Sequence, residues 1–291
     1  MMNTSSPRPR LLLSQALTSS LLKLYDYPHP TKPQKIIKGY DKAHALRTAK
    51  MCVAVALSLG HDLDRVRHYQ IACVLHDLGR AGLDQPLFGK IWSWAKMHGI
   101  PTRPAEWRAK HTSTPYGKET EAFVRKYRSQ LENEGIAINK WACEQIEMRL
   151  GYARRMKRML RVIKPQLRHL NISWHRWMEH VILYYYYPEL ISREQPWVHE
   201  LGEILVACEQ LEAYSNRQRG QDYYTRAQES FEDAFCYLNS LIRKKQLSRK
   251  VVEAVRSLTA TGQFDSILAA AKGSPLTQKD IQFLRSLAPS R

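Results

Sequence analysis

The sequence predicts an all-α protein, and three observations carry the prediction. Apolar residues recur at three- and four-residue spacing in segment after segment, caps and breakers bound those segments, and no stretch reads as a convincing strand. The 291 residues hold no internal repeat and no low-complexity tract, and they can form one large domain or two small ones around a sizeable core.

Taken in order, Leu13, Leu17, Leu21 and Leu24 fit one face of a short N-terminal helix docked on the body. The same segment has no acidic residue before Asp26 and combines Arg, Ser and Leu, which is also the composition of a targeting segment. Residues 25–40, with three prolines and no periodicity, read as an irregular connector. Asp41 as N-cap and Gly60 as C′ residue then bound a helix through Ala45, Met51, Val53, Val55, Ala56 and Leu59. Asp62 caps the next helix, whose apolar run Ile71, Ala72, Cys73, Val74, Leu75 delivers His76 and Asp77 before Gly79 breaks the pattern.

Residues 86–98 form a short Trp-rich helix ended by Gly99 and Pro101, with Trp92 and Trp94 either in the core or forming a substrate-stacking wall. A loop is expected over 101–117 and a helix over 118–130. After a polar break at 133–135 comes the longest helical stretch, 139–164, kinked or ended by Pro165. Its second half carries an apolar face of Met156, Met159, Leu160 and Ile163, continued by Leu167 and Leu170. Helices follow over 173–187, 196–215, 222–245 and 248–258, with short ones over 264–271 and 277–287.

The composition, 44% hydrophobic and 25% charged, is that of an ordinary globular protein. The five cysteines, at 52, 73, 143, 208 and 236, have no CxxC spacing and an odd count, so they read as reduced thiols in a cytoplasmic setting. A formal charge of +18 creates a field that attracts polyanions. Residues 149–168 concentrate it, with eight Lys or Arg and no acid, which is the footprint of a nucleic acid or another polyanion. No apolar run approaches the ~18 residues of a membrane span, so no membrane partner is expected. Oligomeric state leaves no mark in the pattern.

An imidazole and a carboxylate side by side at a buried helix end are ligands for a borderline metal. Two antiparallel helices bring His44, 32 residues upstream, back beside His76. The same dipeptide at His61-Asp62 lies in a polar turn, where Asp62 serves as a cap. Setting, not the dipeptide, singles out His76 and Asp77.

This arrangement, a His and then His-Asp followed by Gly79 and Arg80, resembles the HD superfamily of metal-dependent phosphohydrolases, and within it the HD-GYP class of cyclic dinucleotide phosphodiesterases. The resemblance implies a helical HD-domain bundle over 41–258, with a basic helical insertion at about 124–172, an N-terminal helix and connector over 1–40, and a helical tail over 259–291. It implies two divalent ions, of iron, manganese or another transition metal. His44, His76 and Glu209 would hold one, His111 and His180 the other, and Asp77 would bridge them. A water bridging two such ions ~3.5–4 Å apart would be the nucleophile. Asp77 and Arg80 would be the catalytic residues, with Arg80 also gripping a substrate phosphate where the family carries Lys, and Tyr187 contacting substrate.

The function implied is a phosphohydrolase acting on a phosphorylated small molecule, namely a nucleotide or cyclic dinucleotide phosphodiesterase. The chain departs from the family at three places. Glu179-His180 stands where paired histidines belong, Tyr186-Tyr187-Pro188 replaces Gly-Tyr-Pro, and Glu209 replaces an Asp. Two alternatives stay open: an HD-domain oxygenase with a di-iron centre, and a catalytically degenerate domain that binds nucleotide or nucleic acid.

Overall fold

A computed structural model of the chain describes residues 9–30, 32–187, 191, 193–216 and 230–288. Its centre is a helical hairpin. Helix α2 (Lys42–Ser58) ends at Gly60, whose φ of +87° makes a left-handed turn that a Cβ would disfavour. Asp62 then caps α3 (Leu63–Val74) by accepting from the Arg65 N–H, as the sequence predicts. Ala45, Ala49, Ala54 and Ala56 are buried along α2, and these small side chains let α3 and the long helix α10 (Pro196–Ser215) pack close against it. Asp41 stands at the start of α2 but makes no capping hydrogen bond. Its carboxylate lies 3.9 Å from Arg80 instead.

Around this centre α1 (Gln15–Lys23) packs on α3, and α9 (Arg176–Leu183) packs on α3 and α10. Helices α11 (Phe231–Arg243), α12 (Arg249–Ala260) and α13 (Asp265–Lys272) pack on α10, and α14 (Gln278–Ser286) lies over α11 and α12. Helix α8 (Tyr152–His169) buries Met156, Met159, Leu160, Ile163 and Leu167 in the same core, on the face the sequence assigns. A second apolar cluster is enclosed by α4 (Gln85–Met97), α5 (Pro104–Lys110), α6 (Glu119–Asn133) and α7 (Lys140–Leu150). Trp92, Trp107 and Phe123 are at its middle, so Trp92 and Trp94 are core residues.

The helical class holds among the described residues, which form fourteen α-helices. One exception is a two-stranded antiparallel hairpin, β1 (Tyr27–His29) and β2 (Lys32–Ile37), where a connector is expected. Prolines remove ladder donors, but in a two-stranded ribbon each strand has a free edge, so Pro28 opposite Ile36 costs nothing. The 101–117 loop contains α5, because Pro104 occupies the first turn, where a missing N–H is harmless. The 139–164 stretch is two helices split at Gly151. Pro165 does not end the second one, since it sits on the exposed face and α8 continues to His169. Of the helix expected over 222–245, residues 222–229 lie outside the described residues. What is seen starts at Phe231 behind a Ser230–Asp233 capping box.

Candidate metal centre

Helix α3 stops at Val74, and a turn leading into the 3-10 segment Leu78–Arg80 carries His76 and Asp77. Distant parts of the chain fix this turn. Tyr25 donates its hydroxyl to the Val74 carbonyl at 2.8 Å, and Tyr152, at the start of α8, donates to the His76 carbonyl at 2.6 Å. Arg155, one turn further along α8 and 1% exposed, spends its guanidinium on three acceptors. Nε reaches the Gly79 carbonyl at 2.8 Å, Nη2 the Ala81 carbonyl at 2.7 Å, and Nη1 the Glu144 carboxylate at 3.0 Å. Gly79 has to be glycine for this to close, because a Cβ there would lie 2.7 Å from a Tyr152 ring carbon.

Three ligand atoms converge at the turn. His44 Nε2 lies 3.2 Å from His76 Nε2 and 3.6 Å from Asp77 Oδ2, and His76 Nε2 lies 3.8 Å from the same oxygen. Atoms with these separations share a point about 2.1 Å from each, within the usual zinc–nitrogen and zinc–oxygen range. The tautomers agree with this. His76 Nδ1 faces the Cys73 carbonyl at 2.7 Å, and His44 Nδ1 faces the Glu212 carboxylate. Both acceptors require Nδ1–H, which leaves two Nε2 lone pairs pointing at each other, a contact that only a shared proton or a cation relieves. His44, His76 and Asp77 are 2%, 6% and 3% exposed, so water cannot substitute freely. These residues fit a bound divalent ion, with oriented imidazoles of the kind that hold one.

The surrounding carboxylates favour positive charge at this point, which a proton on His44 supplies when no ion is bound. Burial alone would push the His44 imidazolium down, but the Glu212 carboxylate, with Asp77 and Asp41 behind it, raises it to about 9. Burial opposes ionisation of Asp77, and Arg80 together with the two imidazoles overrides it, so its carboxyl lies below the ordinary value. Glu212, fully buried, is kept ionised by His44 and by Arg47, whose Nε donates at 2.6 Å.

Of the other residues singled out in the sequence, Arg80 and Glu209 border the centre, and His111, His180 and Tyr187 contribute no atom to it. Among the described residues, no other histidine or acid joins His44, His76 and Asp77 at ligand distance. His111 rests on the Trp107 ring in the second cluster, with Nδ1 3.4 Å from Lys126. His180 has both nitrogens engaged, Nδ1 with Glu194 at 2.6 Å and Nε2 with Arg176 at 3.4 Å. Arg80 stands beside the centre, 3.4 Å from Asp77 Oδ2. Tyr187 is buried against Tyr116, and Pro188 lies outside the described residues.

Glu209 lines a pocket that also exposes His76 and Asp77, with Tyr152, Tyr185 and Tyr186 on its walls and ≈ 300 Å³ of free space counted out to solvent. Sequence reasoning missed Glu212, Tyr152 and Arg155. Glu212 is one helical turn beyond Glu209 on α10, and a search for an acid on that face could have found it. Nothing local marks Tyr152 or Arg155, since each acts across more than seventy residues of chain.

Compared with known proteins, the chain matches no family model, no curated protein and no solved structure.

Proposed function

We propose that the protein is a metal-dependent phosphohydrolase acting on a phosphodiester or a nucleotide phosphate. The observation that carries the reading is the buried triangle of His44 Nε2, His76 Nε2 and Asp77 Oδ2, built to hold a cation and opening on a tyrosine-walled pocket. A divalent ion held there supplies Lewis acidity and lowers the pKa of a coordinated water. Glu212 and the Cys73 carbonyl hold the two imidazoles in the ligating tautomer. Arg80 offers a fixed positive charge to a substrate phosphate. Tyr152, Tyr185 and Tyr186 line the pocket beside His76 and Asp77, and Glu209 is the acid there to take a proton. The triangle accounts for one ion, and His111 and His180 are outside the group that forms it.

The test is elemental analysis of the purified protein followed by a substrate screen. At least one equivalent of metal is expected, lost in His44→Ala and Asp77→Ala. Hydrolysis of a linear dinucleotide, cyclic dinucleotide or alarmone in heavy-oxygen water should place one label in the phosphate product. Cyclic di-GMP should be a weak substrate, because the Gly-Tyr-Pro turn is absent. Wild-type protein that stays metal-free in excess Mn²⁺, Zn²⁺ and Fe²⁺ would overturn the reading. Iron-dependent oxygen uptake coupled to substrate oxidation would replace it with the oxygenase.

A further inference from the structure

Helix α8 has a second face. Opposite the buried row, Lys157, Arg161, Lys164 and Arg168 are all exposed, and their four-, three- and four-residue spacing puts them in one stripe. The structure separates these four from their basic neighbours on the same helix. Arg155 is buried in the clamp on the Asp77 turn, Arg154 donates to Thr120, and Arg158 is paired with Glu147 through both its Nη atoms. No ion pair involves any of the four among the described residues, and no acid lies between 149 and 170 to temper them.

We propose that this stripe is a docking surface for the phosphate backbone of a nucleic acid. Like charges at i, i+3 and i+4 destabilise the helix that carries them, and a line of phosphates relieves that repulsion. The stripe runs over twelve residues, about 16 Å of helix from first to last, which matches the axial rise of about five base pairs. A membrane surface fits less well. An interfacial helix needs an apolar wedge beside its charges, and the only large apolar side chain exposed on α8 is Val162. An acidic protein partner fits less well too, because the face has none of the aromatic anchors on which such interfaces rely. The proposal is independent of any metal at His44, His76 and Asp77.

Fluorescence anisotropy on the full chain tests it, with a labelled 20-base-pair DNA duplex, a 20-nucleotide RNA, and vesicles of phosphatidylcholine with phosphatidylserine. Four phosphate contacts predict that duplex affinity falls about 150-fold between 50 and 200 mM salt, and single-strand affinity about 50-fold. Reversal of the stripe (Lys157→Glu, Arg161→Glu, Lys164→Glu, Arg168→Glu) should abolish binding, while Arg161→Ala alone should flatten the salt slope by about 0.9. A control with the same change in net charge, Arg243→Glu, Lys244→Glu, Arg249→Glu, Lys279→Glu, should keep most of the affinity. All eight positions are exposed, so the helical content of both variants should match wild type by circular dichroism. Absence of nucleic-acid binding at 50 mM salt, an equal loss in the control, or binding to vesicles alone would each overturn the proposal.

Discussion

Replacement of Arg155 by methionine keeps much of the side-chain volume and removes all three hydrogen bonds of the clamp. The Gly79 and Ala81 carbonyls and the Glu144 carboxylate then lose a buried donor. Charge-assisted hydrogen bonds contribute about 1.5–3 kcal/mol each, and the apolar methionine recovers part of the sum. The net loss should be about 3–5 kcal/mol, the range seen when one partner of a buried pair is removed. That is a large share of the roughly 5–15 kcal/mol that holds a domain folded.

Arg158 on the next turn is an internal control, since its side chain is 49% exposed and paired with Glu147. Arg158→Met should cost no more than about 1 kcal/mol. Arg155→Lys keeps the charge but cannot fork to two carbonyls, and should fall between the two. Urea unfolding followed by circular dichroism gives all three values. A cost below about 1 kcal/mol for Arg155→Met, indistinguishable from Arg158→Met, would refute the clamp.

Three further outcomes follow from the geometry. Glu212→Gln removes the charge that orients His44 and should weaken divalent-metal binding about 10–100-fold by calorimetry. Glu209→Gln should leave binding unchanged, and an equal loss there would make Glu209 a ligand. In metal-free protein, His44 is raised from 6.5 to about 9, so its contribution to stability is complete below pH 6.5 and fades as pH rises through 9. Urea midpoints should fall over that window, and His44→Gln should flatten the decline. Partial burial works against ionisation of Asp280, but Lys272 and Thr277 hold its carboxyl below 3.8. Its capping of α14 is therefore intact above pH 3.8 and lost as pH falls below it. Hydrogen exchange in α14 should accelerate there, and an Asp280→Asn variant that shows the same acid sensitivity would contradict this assignment.

The sequence was most legible where a single local rule governed the outcome. Gly60, Asp62, Ser248 and Thr277 mark helix ends that the structure reproduces, and the buried row of α8 follows from spacing alone. His44, His76 and Asp77 were legible because two helices and one turn suffice to bring them together. Local rules failed where a residue's environment was set by distant chain. Arg155 read as part of a basic surface because nothing near it in sequence reveals the carbonyls of residues 79 and 81. His180 sits on an apolar helix, where Glu194 and Arg176, fourteen and four residues away, face its two nitrogens. Proline misled at Pro28 and Pro104, and at Pro165 it does not end the helix, because its effect depends on whether an edge, a first turn or solvent receives it.

The contact between His44 and Glu212 spans 168 residues of chain, and that distance has a consequence during synthesis. A ribosome adding 5–20 residues per second needs on the order of ten seconds to pass from Asp77 to Glu212. Throughout that interval both imidazoles and the carboxylate exist without the acid that fixes one ring and without the helix that buries it. An ion met by the nascent chain therefore encounters a loose, unselective trio. If the group holds an ion, the geometry that selects it is complete only after α10 has left the ribosome and closed over the hairpin.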